Sequence, residues 1–379
     1  MQPCGRRPVR YSGIRGRHAR VSKLSRVALA VGLALLVLFA GEWIAGHLDP
    51  QAPFRRLHAP RPGSPWLYDL VPGATARSAV GDIEYNIGTH GFRDHDRARE
   101  KPPGVFRVAI LGDSVAFGYG VSRADGFVGR LETELREVAA ETPGVDRVEV
   151  LNFAVSGFNP YNEAELFRGV VRDFEPDLTL VQFCVNDLND PRHHFGASTV
   201  QRLGELPALA FPDAASARDV PWKVSPAAAA CDRSNLCRLL LGGALGPART
   251  PEGDDEFQAA FEIRAGPEFR AEWAWLRSRY ADIAAAAHDV DSAFGVLAFP
   301  NATDVGADPG AADAGATLRG IGDEEGWTVI DLVPAFRATG EQAQTLFLDL
   351  WHPTRRGHEV AASAIANEIR RRGLVRRPD

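Results

Sequence analysis

Between residues 105 and 373, short apolar runs alternate with stretches of helical spacing. The runs fall at 106–111, 148–153, 178–184, 293–299 and 327–332, each of strand length. Residues 127–140, 161–174, 268–288 and 358–372 carry the helical period, and the third of these reads as strongly amphipathic. Trp273, Trp275 and Leu276 fall at core spacing on that helix and read as packing. Strands alternating with helices predict a parallel sheet covered on both faces. Before this region, residues 82–87 alternate polar with apolar, as a half-exposed strand does. Their surroundings, 47–104, are rich in Pro, Gly and Arg and read as a linker with a small β lead-in, closed by Pro102-Pro103-Gly104. Two stretches break the rhythm. Residues 195–262 form a Pro/Ala-rich insert with one apolar patch at 236–245, suited equally to a covered lid helix and to contact with membrane or acyl chains. Residues 301–326 are rich in Gly, Ala and Asp and predict a loop with a short helix.

The longest apolar run lies near the N-terminus. Residues 27–41 carry no charge, and Glu42 interrupts before Trp43, Ile44 and Ala45. Counted through 46, the segment reaches the roughly 20 residues needed to cross a bilayer. Residues 1–26 hold eight Arg or Lys and no acid. A core helix would not carry such a flank, and the bulky Phe39, Trp43 and Ile44 spoil a signal-peptidase site. These features predict an uncleaved, single-pass signal-anchor at 27–46. The basic tail 1–26 would lie in the cytoplasm and the body outside it, in the periplasm. Arg6-Arg7 lie too far from the apolar run to mark twin-arginine export.

The whole chain of 379 residues has a formal charge of −6, so the part beyond the tail carries −14. An acidic body excludes nucleic acid as a partner, because phosphates need a basic face. The four cysteines are Cys4, Cys184, Cys231 and Cys237. Cys231 and Cys237 are close enough for a disulfide in an exported body. No Cys/His cluster has zinc spacing, and His193-His194 near Asp190 lack further ligands, so neither a metal nor a cofactor is implied.

Candidate chemistry sits at the strand ends. Gly112-Asp113-Ser114 follows the first strand directly, the edge where open parallel sheets bind ligands. Alone, this tripeptide marks no more than a helix N-cap. Asp349-Leu350-Trp351-His352-Pro353, before the last helix, adds a carboxylate three residues from an imidazole. Such an Asp can fix the His tautomer, leaving the other ring nitrogen to take a serine proton. Asn152-Phe153-Ala154-Val155-Ser156-Gly157 follows the second strand and Cys184-Val185-Asn186-Asp187 the third. The N–H groups of Ser114 and Gly157 and the Asn186 amide could form an oxyanion hole.

Gly112-Asp113-Ser114, Gly157, Asn186-Asp187 and Asp349-x-x-His352 resemble, in order, the four blocks of the SGNH/GDSL hydrolase family. The likeness spans 105–373. The lead-in, with Asn86 and Gly91-Phe92-Arg93-Asp94, is similar to that of exported, membrane-anchored bacterial members. One departure is Cys184, where the third block usually has glycine. The resemblance implies a flavodoxin-like three-layer α/β/α sandwich of about five parallel strands, spanning 105–379 with the insert. It also implies a serine esterase that cleaves ester bonds, O-acetyl esters among them, through a Ser114–His352–Asp349 triad and an acyl-enzyme. Its partners would be an ester substrate, such as an acylated glycan or lipid, and the membrane. Two other functions suit the same blocks. One is an O-acetyltransferase acting on cell-envelope polysaccharide; the other is a non-catalytic glycan-binding module, which would have no need of an intact triad.

Overall fold

A computed structural model describes residues 23–48, 57–60, 68–77, 83–188, 234–237, 240, 269–306 and 314–376. It opens with helix α1 (Lys23–Leu48), whose apolar side chains from Val27 to Phe39 are exposed. Residues 26–48 are long and apolar enough to cross a membrane, slightly longer than the expected 27–46. The lead-in makes two antiparallel pairs, β1 (His58–Pro60) with β2 (Tyr68–Leu70) and β3 (Thr75–Arg77) with β4 (Glu84–Asn86). In β4 only Tyr85 is buried, as the alternation predicts. Tyr85, Ile87 and Phe92 join the main hydrophobic core, so the lead-in packs into the body.

The body is built on β5 (Val105–Leu111), α2 (Ser114–Phe117), α3 (Phe127–Glu141), β6 (Arg147–Asn152) and α4 (Pro160–Gly169). Next come β7 (Leu178–Phe183), α5 (Arg270–His288), β8 (Ala293–Ala298), α6 (Ala302–Gly306) and α7 (Ala314–Glu325). The chain closes with β9 (Thr328–Asp331), α8 (Val333–Ala338), α9 (Ala343–Leu346) and α10 (Arg355–Arg372). The five strands β5–β9 pair in parallel in the order β6-β5-β7-β8-β9. The chain steps one way from β5 to β6, then the other way to β7. Right-handed crossovers therefore put α3 on one face and α4 and α5 on the other. Consistently, α3 packs with α10, and α4 with α5. The expected three-layer fold is thus observed, with a topological switch point at the carboxyl end of β5.

Several local features differ from the sequence reading. Residues 161–174 are not one helix: Val170, at φ −141°, ends α4 and a 3₁₀ turn Val171–Phe174 follows. The last helix begins three residues early, because Thr354 caps it by accepting the Gly357 N–H. The Gly/Ala-rich stretch after β8 holds a twelve-residue helix, α7, rather than mostly loop. Gly315 and Gly322 serve close packing, since a Cβ on Gly322 would lie 2.5 Å from Val329 Cγ2 and one on Gly315 2.7 Å from the Asp331 carboxylate. In interior strand β5, every residue is buried, Arg107 included. Its Nε donates to Glu149 at 2.9 Å, directly opposite on β6, and its Nη1 donates to the Arg99 and Phe174 carbonyls. Such pairing is what a buried charge requires. Trp273 and Trp275 are core residues, as expected.

Of the insert, only 234–237 and Leu240 are described. Ser234 and the N–H groups of Asn235 and Leu236 donate to the Glu42 carboxylate of α1. Cys237 is disulfide-bonded, and Cys184 is a buried cysteine. The expected partner Cys231, Cys4, and the group Asp190, His193 and His194 lie outside the described residues.

Candidate active site

β5 ends at Leu111 and the chain turns sharply into α2. Gly112 sits at φ +154°, and a Cβ there would come within 2.6 Å of Gln182 Oε1, so only glycine fits. Asp113 caps α2, its side chain accepting the Val115 N–H at 2.9 Å. Gln182, in the neighbouring strand β7, accepts the N–H groups of Asp113 at 3.2 Å and Ala116 at 3.1 Å. From β6, Asn152 donates its amide to the Ala116 carbonyl at 2.9 Å. Ser114 is thereby presented on a turn gripped from both flanking strands, half-exposed among buried neighbours.

Above this turn lies the loop before α10. Asp349 Oδ1 accepts the N–H groups of Trp351 and His352, both at 2.8 Å, and folds the loop on itself. Its Oδ2 lies 2.7 Å from His352 Nδ1, and His352 Nε2 lies 2.9 Å from Ser114 Oγ. The loop is closed by the bond from Leu348 N–H to the His352 carbonyl at 2.7 Å. Ser114, His352 and Asp349, 238 residues apart in sequence between serine and imidazole, therefore form one hydrogen-bonded line. Burial alone would lift the Asp349 carboxyl pKa. The hydrogen bond and charge of His352, with the two backbone N–H groups, outweigh it and hold Asp349 below its usual range. A carboxylate so placed keeps the Nδ1 hydrogen facing it, leaving Nε2 free to accept the serine proton.

The two intermediate motifs reach the same rim. The Val155 N–H donates to the Gly112 carbonyl at 3.1 Å, tying the loop after β6 to the serine turn. Gly157 in that loop has φ +84°, a left-handed conformation suited to glycine. Asn186 lies on a 3₁₀ turn, Val185–Leu188, just beyond β7; its side chain lies outside what is described. Cys184, in the glycine position, is buried but keeps an ordinary negative φ, so its Cβ strains no backbone. Its N–H donates to Asp187 at 3.0 Å.

Beneath the site is a group of acids the sequence did not announce. Burial, then the charges of Asp187 and Asp113, raises Glu163 well above the usual carboxyl range. Asp187 is raised in the same way, first by burial and then by Asp113. Neither Glu163 oxygen has a hydrogen-bond partner among the described residues, while Tyr280 donates its hydroxyl to Asp187 at 3.4 Å. A second histidine, His358, is pushed down to about 3 by burial and then by the charges of Arg93 and His352. It is fully buried, accepts the Phe127 N–H at 3.2 Å and stays neutral. Among the described residues, no group of three His, Cys, Asp or Glu side chains could hold a metal.

The residues missed by sequence reasoning are Gln182, Asn152 as an anchor, Tyr119, and the lead-in pair Tyr85 and Arg93. Tyr119 places its ring 4.6 Å from that of His352. The one available signal was Gly118-Tyr119-Gly120, a local turn pattern four residues beyond the serine.

The GDSL-like Lipase/Acylhydrolase family matches residues 110–360 of this chain. No curated protein matches it. Among solved structures, LAE5, an alpha/beta hydrolase enzyme from the metagenome of Lake Arreo, is 17% identical over 69% of this chain and 94% of its own, with a TM-score of 0.40. Axe2, an acetylxylan esterase from Geobacillus stearothermophilus, is 15% identical over 70% and 94%, with a TM-score of 0.40. TesA is 13% identical over 71% and 99%, again at 0.40.

Proposed function

The chain belongs to the GDSL-like lipase/acylhydrolase family and is an ester-bond hydrolase, and from that premise we propose that Ser114, His352 and Asp349 are its triad. The observation that carries this reading is the line Asp349 Oδ2–His352 Nδ1–His352 Nε2–Ser114 Oγ, at 2.7 and 2.9 Å. His352 takes the Ser114 proton as Oγ attacks the ester carbonyl, and Asp349 stabilises the imidazolium that forms. The oxyanion is held by the N–H groups of Ser114 and Gly157 and by the Asn186 amide. Collapse expels the alcohol, which receives its proton from His352, and leaves an acyl group on Ser114. Water, deprotonated by His352, attacks that acyl-enzyme and restores the serine.

The proposed substrates are esters of acylated glycans or lipids, O-acetyl esters included. The body, 105–379 with its insert and lead-in, is proposed to be held outside the cytoplasm by a retained helix spanning 27–46. Support comes from Glu42, which receives Ser234, Asn235 and Leu236 and would be lost with a cleaved leader.

Partition of the acyl-enzyme tests the reaction. The full chain in detergent is charged with p-nitrophenyl acetate, and acyl release is followed with and without an added glycan acceptor. The expected result is release insensitive to the acceptor and absent in Ser114→Ala. Faster release, with acyl groups appearing on the glycan, would make the chain a transferase instead.

A further inference from the structure

The lead-in grips the loop that follows Ser114. Arg93 is buried, and its guanidinium donates to three backbone carbonyls there: Phe117 at 2.9 Å, Gly118 at 2.6 Å and Val121 at 2.7 Å. The first of these carbonyls belongs to the end of α2, where orphan C=O groups need donors. The guanidinium also lies over the rings of Tyr85 at 4.3 Å and Phe117 at 5.2 Å. Burial lowers its pKa to about 10, still charged at neutral pH, with Tyr85 opposing and Arg123 adding to the shift. Tyr85 accepts the Gly120 N–H on its hydroxyl at 2.8 Å. Gly118, at φ +83°, has room for no side chain, since a Cβ would meet Arg93 Nη1 at 2.9 Å.

The gripped loop is tied to both reacting residues. The N–H groups of Gly118 and Tyr119 both donate to the Ser114 carbonyl, at 3.1 and 3.0 Å. The Tyr119 ring rests on His352 at 4.6 Å between centroids, inclined at 46°. Four hydrogen bonds from the lead-in thus hold residues 117–121, and one ring contact passes from that loop to the imidazole. A buried cation spent on three carbonyls of one loop is more than solubility or packing would call for.

We propose that Tyr119 is a positioning residue that keeps the His352 ring aligned on Ser114, and that Tyr85 and Arg93 act through it by fixing the loop 117–121. This rests on the reading of Ser114 and His352 as nucleophile and base. The lead-in is therefore a working part of the site. Rotation of the imidazole about its Cβ–Cγ bond would swing Nε2 away from Oγ, and the tyrosine ring opposes that swing.

The test measures kcat and KM of the detergent-solubilised full chain on p-nitrophenyl acetate. Tyr119 is only half-buried, so its substitution leaves the core intact. Tyr119→Leu is expected to lower kcat about three- to tenfold, the scale of one aromatic contact, with KM unchanged and thermal unfolding unmoved. Tyr119→Phe restores kcat, because the ring and not the hydroxyl does the work. Tyr85→Phe, which keeps the ring and removes the acceptor of Gly120, lowers kcat in the wild-type background. It adds nothing to Tyr119→Leu. Wild-type kcat in Tyr119→Leu, or full additivity of the two substitutions, overturns the proposal. Residual turnover in a Ser114→Ala control would instead overturn the triad on which it rests.

Discussion

Replacing Asp349 by Asn probes the triad through its tautomer. In the folded loop, Oδ1 is held by two backbone N–H groups, those of Trp351 and His352, both at 2.8 Å. Those donors can be met only by the carbonyl oxygen of Asn. Its NH₂ must then take the place of Oδ2, 2.7 Å from His352 Nδ1. An NH₂ group is a donor, so Nδ1 must become the acceptor and the ring hydrogen must move to Nε2. Nε2 then points an N–H at Ser114 Oγ and cannot take its proton. The variant also lacks the negative charge that stabilises the imidazolium. The loss expected for such a reversal in a Ser-His-Asp triad is about 10⁴-fold, or about 5 kcal/mol of barrier. Asp349→Ala removes the charge but imposes no tautomer, so it should lose less than Asp349→Asn. The assay is kcat/KM on p-nitrophenyl acetate, beside the rate of labelling by a fluorophosphonate. Asp349→Asn retaining a tenth of wild-type activity, or Asp349→Ala proving much worse, would refute the reasoning.

Other consequences can be checked separately. Glu163 has a folded-state pKa raised above its unfolded value, so its stabilising effect is complete below about pH 4.5 and is lost as pH rises through the folded pKa. Glu163→Gln mimics the protonated acid. In urea unfolding it should match wild type at pH 4 and exceed it at pH 8, and the reverse order would contradict the assignment. Gln182→Met removes the acceptor of two buried N–H groups at the serine turn, each worth about 1–3 kcal/mol when orphaned. Because both bonds exceed 3 Å, a total near 2 kcal/mol is expected in urea unfolding, together with slower labelling; unchanged stability would show that Gln182 holds nothing. Full-length chain should stay with membranes after carbonate washing, with residues 23–48 still detectable by mass spectrometry. Recovery of a soluble form starting after residue 46 would rule out a retained anchor.

The strand–helix alternation was legible because it depends on local period, and the five strands fall within a residue or two of their sequence positions. Ser114, Gly157, Asn186 and the Asp349–His352 pair were legible as motifs, since each follows a strand or precedes the last helix. What escaped was chemistry carried across the fold. Gln182 is a polar residue in a mostly apolar strand, and its task is set by the turn after the neighbouring strand, where it accepts the Asp113 and Ala116 N–H groups. Arg93 lies 24 to 28 residues from the carbonyls it holds, and no periodicity links them. Glu163 reads as an ordinary first-turn acid of α4, and only its burial against Asp187 and Asp113 sets it apart. The helix α7 was hidden for the opposite reason, as Gly322 looks like loop until its close approach to Val329 is seen.

The most direct measurement of the central claim is the site of covalent modification. The full chain is treated with a fluorophosphonate, digested, and mapped by tandem mass spectrometry. The predicted result is one adduct per chain on Ser114, absent in Ser114→Ala and strongly slowed in His352→Ala. An adduct on another serine, or undiminished labelling without His352, would contradict the triad.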